Sequence, residues 1–230
     1  MIITIDGPAG SGKSTAARKL AAALEIPYLD TGAMYRAVAL KALNTGTDFD
    51  DPEALARLAR QTRIELDCGP TYARVEMDGH DVSEAIRSMR VSEHTSKVAR
   101  VPGVRQVLIE QQRAIARRLG ALVTEGRDQG SVVFPQADVK FVLTATAEKR
   151  AERRYHELLV EGETVDLENV LENIKRRDAN DRVQWAPLLN SGEAIEIDTS
   201  HRSIAEVVAL MLRKIQLCKD HASEDRSPGS

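Results

Sequence analysis

An α/β fold, with a parallel sheet flanked by helices, is predicted by three observations. A β-branched strand at the N-terminus passes through a glycine-rich turn straight into a helix, strand-like segments then recur beside helical patterns, and a single hairpin pattern interrupts that alternation. The first strand runs from Ile2 to Asp6 and stops at Asp6-Gly7-Pro8-Ala9-Gly10, where the chain turns sharply. From Lys13 to Leu24, Ala16, Ala17, Leu20, Ala21 and Leu24 recur at helical spacing with no proline among them. Further strands are expected at Leu122 to Glu125, Val139 to Leu143 and Ala194 to Ile197. Arg63 to Leu66 and Ala73 to Met77 are strand-like around a turn at Asp67-Cys68-Gly69-Pro70 and form the hairpin. It lies between helical patterns at Pro52 to Gln61 and Val91 to Arg118, the second divided by Pro102.

These segments organise as one domain over 1–218, with a core of 1–45, 119–146 and 186–218, an insertion at about 46–118 that covers a substrate, and a lid at about 147–185. Lys219 to Ser230 is polar and aperiodic and is expected to be a disordered tail. At 230 residues, 42% hydrophobic and 29% charged, the chain is long enough for one substantial core. A net charge of -3 offers no global attraction for nucleic acid or an anionic membrane, so an anion site must be built locally. Cys68 and Cys218 are too few and too far apart for a disulfide framework or a zinc site. With neither a signal peptide nor a long apolar segment, the chain reads as cytoplasmic, binding no membrane and no nucleic acid.

Gly7-Pro8-Ala9-Gly10-Ser11-Gly12-Lys13-Ser14 matches G-x-x-x-x-G-K-[ST] with the strand before it and the helix after it that such a match requires. Its glycines let successive amides turn inward, and the helix N-terminus adds positive partial charge, so the loop is an anion cradle. Lys13 would place its ammonium on the β- and γ-phosphates of a nucleoside triphosphate, Ser14 would ligate Mg²⁺, and Thr15 closes the motif. Asp6, at the strand's end, either supports the site or only accepts hydrogen bonds from the loop.

On the acceptor side, Thr31 could cap a helix that carries Arg36 into the same cleft, where a guanidinium can hold a phosphate through two parallel hydrogen bonds. Arg127 and Asp128 follow an apolar strand, and ligands of open α/β sheets bind beyond the carboxyl ends of strands. Between Glu148 and Arg182 basic residues are dense, including Arg150, Arg154, Arg177 and Arg182, and Glu161-Gly162-Glu163 reads as a turn between two helices. Each cation alone would be a solvated helix face; together they read as a cationic lid able to exclude water from phosphoryl transfer.

Five collinear motifs carry a resemblance across nearly the whole chain. They are Ile-Asp-Gly-Pro-Ala-Gly-Ser-Gly-Lys-Ser at 5–14, Leu-Asp-Thr-Gly-Ala-Met-Tyr-Arg at 29–36, Gly-x-Asp-Val-Ser-x-x-Ile-Arg at 79–87, Glu-Gly-Arg-Asp-x-Gly-x-Val-Val-Phe-Pro at 125–135 and Ala-Pro-Leu at 186–188. The chain resembles the bacterial cytidylate kinases. That resemblance implies a P-loop NTPase-type sheet with an acceptor-binding insertion and a helical lid, and phosphorylation of CMP and dCMP from ATP with Mg²⁺. It implies ATP on Gly7, Pro8, Ala9, Gly10, Ser11, Gly12, Lys13, Ser14 and Thr15, and an acceptor site of Thr31, Arg36, Ser96, Arg105, Arg127, Asp128, Arg177 and Asp181. Within it Ser96, Arg105 and Asp181 would read cytosine and Arg36, Arg127 and Arg177 would hold phosphate, with Lys13, Arg127 and Arg177 as the catalytic cations. The chain departs from the family at Asp181-Arg182-Val183-Gln184-Trp185-Ala186, one residue shorter and with Val183 in place of an arginine, so Arg182 is the candidate substitute. A monomer is expected. The alternatives are a P-loop kinase for another small acceptor, such as shikimate or dephospho-coenzyme A, and a nucleotide-dependent switch that needs no acceptor.

Overall fold

A computed structural model describes residues 1–160, 162 and 164–224, without the side chains of residues 177, 179–181, 183, 184 and 221–224. Five parallel strands form the central sheet: β1 (Ile2–Asp6), β2 (Tyr28–Asp30), β6 (Leu122–Glu125), β7 (Val139–Thr144) and β8 (Ile195–Asp198), in the order β2-β6-β1-β7-β8. Between β2 and β6 the chain builds α2 (Thr31–Thr45), α3 (Pro52–Gln61), an antiparallel sheet of β3 (Ile64–Cys68), β4 (Ala73–Met77) and β5 (His80–Asp81), then α4 (Met89–Arg100) and α5 (Pro102–Leu119). α1 (Lys13–Leu24) joins β1 to β2, α6 (Ala147–Val160) and α7 (Leu167–Asn190) join β7 to β8, and α8 (Ile204–Glu224) ends the described chain.

Side-chain alternation along the strands divides the apolar residues between the two faces of the sheet. Ile3 and Ile5 of β1, Val123 of β6 and Phe141 and Leu143 of β7 pack with Ala17 and Leu20 of α1 and Val207, Met211 and Ile215 of α8. Leu29 of β2 and Leu122 of β6 belong instead to the cluster of Met34 and Val38 on α2, Leu55 on α3, Val75 on β4, Val98 on α4 and Leu108 on α5. The segment from α3 to α5 therefore shares its apolar core with α2. The third cluster, Ala151 on α6 with Val170 and Ile174 on α7, holds these two helices together.

The predicted core elements are present, α5 beginning at Pro102 as the break in the helical pattern requires. Two strands go beyond the expected elements, and three expectations need correction. β2 and β5, of three and two residues, are too short for periodicity to reveal. Asp30, not Thr31, caps α2: its Oδ1 accepts from the Ala33 amide at 2.9 Å, and Thr31 is the first helical residue. The lid boundary at 185 falls inside α7, which continues to Asn190. The expected tail is helical from Lys219 to Glu224, with residues 225–230 outside the described residues. A helix already nucleated on Val207, Met211 and Ile215 propagates at one hydrogen bond per residue, and Gln216 supports the extension by donating to Asp220 at 2.7 Å across one turn.

Candidate active site

The sheet order fixes where a ligand can sit. β1 leads through α1 to the edge strand β2, whereas β7 leads through α6 and α7 to the opposite edge strand β8, so the connections diverge at the carboxyl ends of β1 and β7. The glycine-rich loop occupies that crevice. Gly7, Gly10 and Gly12 take φ of 137°, 76° and 87°. Gly12 caps α1 in the left-handed conformation and makes no side-chain cap hydrogen bond, so no capping side chain competes for the helix N-terminal amides.

Four consecutive carbonyl oxygens of the loop are bound by protein donors. Lys13 Nζ donates to Pro8 O at 2.7 Å, Arg150 Nη1 to Ala9 O at 3.2 Å, Arg153 Nη1 to Gly10 O at 3.4 Å and Thr199 Oγ1 to Ser11 O at 3.0 Å. With its acceptors held this way, the loop offers its N–H groups to an anion. The buried hydroxyl of Ser11 has no partner among the described residues. The Ser14 hydroxyl donates to Glu125 Oε1 at 3.0 Å. That juxtaposes a hydroxyl and a carboxylate, the hard oxygen ligands Mg²⁺ prefers, so the residues present fit the ion.

Three neighbouring strands end in carboxylates: Asp30 on β2, Glu125 on β6, which is in register with it, and Asp6 on β1. Each serves a different partner. Asp30 caps α2 and accepts from Arg36 Nη2 at 2.9 Å, and Glu125 takes the Ser14 hydroxyl while its backbone oxygen accepts from Thr31 Oγ1 at 2.8 Å. Asp6, fully buried, accepts from the amides of Gln129 and Gly130 at 2.8 and 2.7 Å. Those amides begin a single π-helical turn, Gln129–Val133, directly after Arg127 and Asp128. One carboxylate thus joins the strand that launches the phosphate loop to the turn that follows Arg127 and Asp128.

Burial pushes the Asp6 carboxyl up to about 6, against the lowering influence of the Gly130 and Gln129 amides. A carboxyl whose pKa is higher in the folded chain favours folding fully below its unfolded value of 3.8, and that contribution is lost as pH rises through about 6. Wild-type stability minus that of Asp6→Asn is therefore expected to fall by up to about 3 kcal/mol between roughly pH 4 and 6.5. Urea unfolding at each pH measures it. A difference that stayed flat or rose with pH would refute the assignment.

Asp128 is buried and ion-paired with Arg105 of α5. Tyr35 of α2 lies beside this pair: burial pushes its phenol up to about 12, with Arg105 lowering it and Asp128 raising it. Arg127 extends along its own turn, its Nη1 3.5 Å from Gly126 O. Ser96 sits exposed on α4 and takes no part in the Arg105–Asp128 contact. Arg177 and Asp181 lie on α7, and their side chains are outside the described residues.

The cations expected to form a lid divide. Arg150 points inward, buried, with Nε donating to Ala145 O at 2.9 Å and both terminal nitrogens on Asp178 at 2.8 and 2.5 Å. It ties α6 and α7 to the phosphate loop. Arg154 is exposed and pairs with Glu157 at 3.1 Å, while Arg182 is exposed on α7. Sequence reasoning gave no role to Glu125, Asp178, Thr199, Tyr35 or Asp30. Of these only Asp30 carried a local signal, as a carboxylate at a strand-to-helix junction.

The cytidylate kinase family model matches residues 3–217. Among curated relatives, a bifunctional pantoate ligase/cytidylate kinase from Synechococcus sp. (strain JA-3-3Ab) is 49% identical over 216 residues, covering 92% of this chain and 40% of that protein. This chain therefore spans well under half of that relative. A cytidylate kinase from Clostridioides difficile (strain 630) is 43% identical over 218 residues, covering 94% of this chain and 99% of its own. A crystal structure of an uncharacterized protein from Eubacterium ventriosum ATCC 27560 covers 94% of this chain and 98% of its own, with a TM-score of 0.50 at 14% identity, a likeness of fold alone.

Proposed function

This chain belongs to the cytidylate kinase family, which makes it a nucleoside monophosphate kinase with ATP as co-substrate, and from that premise we propose that it transfers the γ-phosphoryl group of ATP to CMP or dCMP. The products are ADP and CDP or dCDP. The observation that carries this reading is the convergence of two anion-binding elements at the ends of adjacent strands: the phosphate loop after β1, and Arg36, Arg127 and the Arg105–Asp128 pair after β2 and β6.

The loop amides and Lys13 hold the triphosphate, and Thr15 completes that site. Ser14, with Glu125 behind it, would hold Mg²⁺, which would supply positive charge beside the transferring group. Arg36, Arg127 and Arg177 hold the acceptor phosphate, helped by Thr31, and Asp128, Arg105, Ser96 and Asp181 line the nucleoside. No side chain acts as nucleophile: an acceptor phosphate oxygen attacks in line, the bond from the γ-phosphorus to the bridging oxygen breaks, and ADP leaves. The same reading makes the protein a cytoplasmic monomer. No helix among the described residues is long and apolar enough to cross a membrane, and both cysteines are free.

Coupled measurement of ADP formation is expected to show turnover only with an acceptor, CMP exceeding UMP by at least about tenfold in kcat/KM. Cytosine presents an amine to the Asp181 carboxylate, whereas uracil sets a carbonyl oxygen against it. ADP formation at the same rate without acceptor would favour a hydrolytic switch, and equal rates for CMP and UMP would overturn the base-reading assignment.

A further inference from the structure

Asp30 uses both carboxylate oxygens, and capping a helix requires only one. Oδ1 accepts from the Ala33 amide at 2.9 Å, the ordinary work of an N-cap residue, while Oδ2 accepts from Arg36 Nη2 at 2.9 Å. The arginine reaches back over the first turn of α2 to make this contact, the direction helical side chains favour. Gly32 permits it: a Cβ there would stand 3.0 Å from Arg36 Nη1 and 3.2 Å from Asp30 Oδ1. Next to it on the guanidinium, Nε, which shares an edge with Nη2, is buried with no acceptor among the described residues. A charged fork held at one nitrogen, with a second donor buried and unmet beside it, is shaped to receive another anion.

We propose that Asp30 is a positioning residue for the acceptor phosphate, pinning Arg36 through Nη2 and so fixing the guanidinium where a phosphate monoester can meet its remaining N–H donors. This rests on Arg36 being a phosphate holder, as the proposed function has it. Because Asp30 is also the last residue of β2, in register with Glu125 of β6, the guanidinium is referenced to the sheet rather than to α2 alone. The Thr31 hydroxyl, bound to Glu125 O at 2.8 Å, fixes the same junction from the neighbouring residue.

Asp30→Asn separates positioning from capping. Asparagine is among the best N-cap residues, so the bond to Ala33 survives, but its amide now sets N–H against Arg36 Nη2 and releases the fork. The expected result is a melting temperature within about 2 °C of wild type, a KM for CMP raised about tenfold, and kcat and the KM for ATP nearly unchanged, the signature of lost uniform binding. In an Arg36→Ala background the same substitution should add nothing further to the KM for CMP, since it acts only through Arg36. If Arg36→Ala raises that KM but Asp30→Asn leaves or lowers it, the carboxylate competes with phosphate and the proposal alone falls. An equal increase in the Arg36→Ala background would overturn it in the same way. If Arg36→Ala itself leaves the KM for CMP unchanged, the phosphate-holding role of Arg36 fails and the proposal goes with it.

Discussion

Replacing Lys13 with alanine is expected to lower kcat by about a hundredfold to a thousandfold while changing the KM for CMP by less than about threefold. Charge spreads over the equatorial oxygens of the γ-phosphoryl group as it leaves ADP, and a preorganised cation is worth more there than in the ground state. Lys13 is preorganised, since its stem is buried at the start of α1 and its ammonium donates to Pro8 O at 2.7 Å within the phosphate loop. The residues proposed to hold the acceptor follow β2 and β6 and do not include Lys13, so the acceptor's affinity has little reason to change. Initial rates over a grid of ATP and CMP concentrations separate the two constants. A variant with near wild-type kcat, or one whose whole defect lay in the KM for CMP, would remove Lys13 from the transferring phosphoryl group.

Gly7→Ala is expected to destabilise the protein by about 3 kcal/mol or more, a fall of roughly 6–12 °C in melting temperature for a chain of this size, and to abolish most activity. A Cβ at position 7 would stand 2.1 Å from Leu143 O on β7 and would have to hold φ near 137°. Neither strand can retreat: β1 and β7 are paired from Ile3 with Val139 to Asp6 with Val142, and β6 and β8 flank them. Gly46→Ala separates the clash from conformational strain. Gly46, the C-cap of α2, is also left-handed at φ 65°, but nothing lies within 4 Å of its added Cβ. It is expected to cost about 1 kcal/mol, or 2–4 °C, with activity retained. Equal losses in the two variants on thermal scanning would show that the backbone angle, not contact with β7, makes Gly7 necessary.

Arg150 shows how far local rules reach into the site. Its neighbours in sequence describe a solvated, charged helix face, and by that average rule it belongs with Arg154 as a lid cation. Packing of α6 on α7 brings Asp178, 28 residues away, to its guanidinium, and the loop after β1 supplies Ala9 O from 141 residues away. Arg154, one turn further along, pairs with Glu157 and stays exposed. The cap of α2 is a similar case. Asp30 and Thr31 are both acceptable N-cap residues, and a local rule cannot rank them. Glu125 O, 94 residues from Thr31, takes the threonine hydroxyl, while the Asp30 carboxylate meets the Ala33 amide and Arg36. The tail shows the opposite limit, because composition counts residues one by one whereas a helix nucleated on buried side chains continues past the last of them.

By itself the sequence determined the alternating α/β core, the hairpin insertion and the phosphate loop with Lys13 and Ser14, since these rest on periodicity and on eight consecutive residues whose backbone freedom and chemistry are encoded locally. Only the tertiary structure decided which partner each charge meets. The order β2-β6-β1 sets Asp30, Glu125 and Asp6 side by side, and there they bind Arg36, Ser14 and the turn after Asp128. The reason is physical: hydrogen bonds and ion pairs act over a few ångströms of space, and in a parallel sheet with helical crossovers the nearest strands are tens of residues apart along the chain.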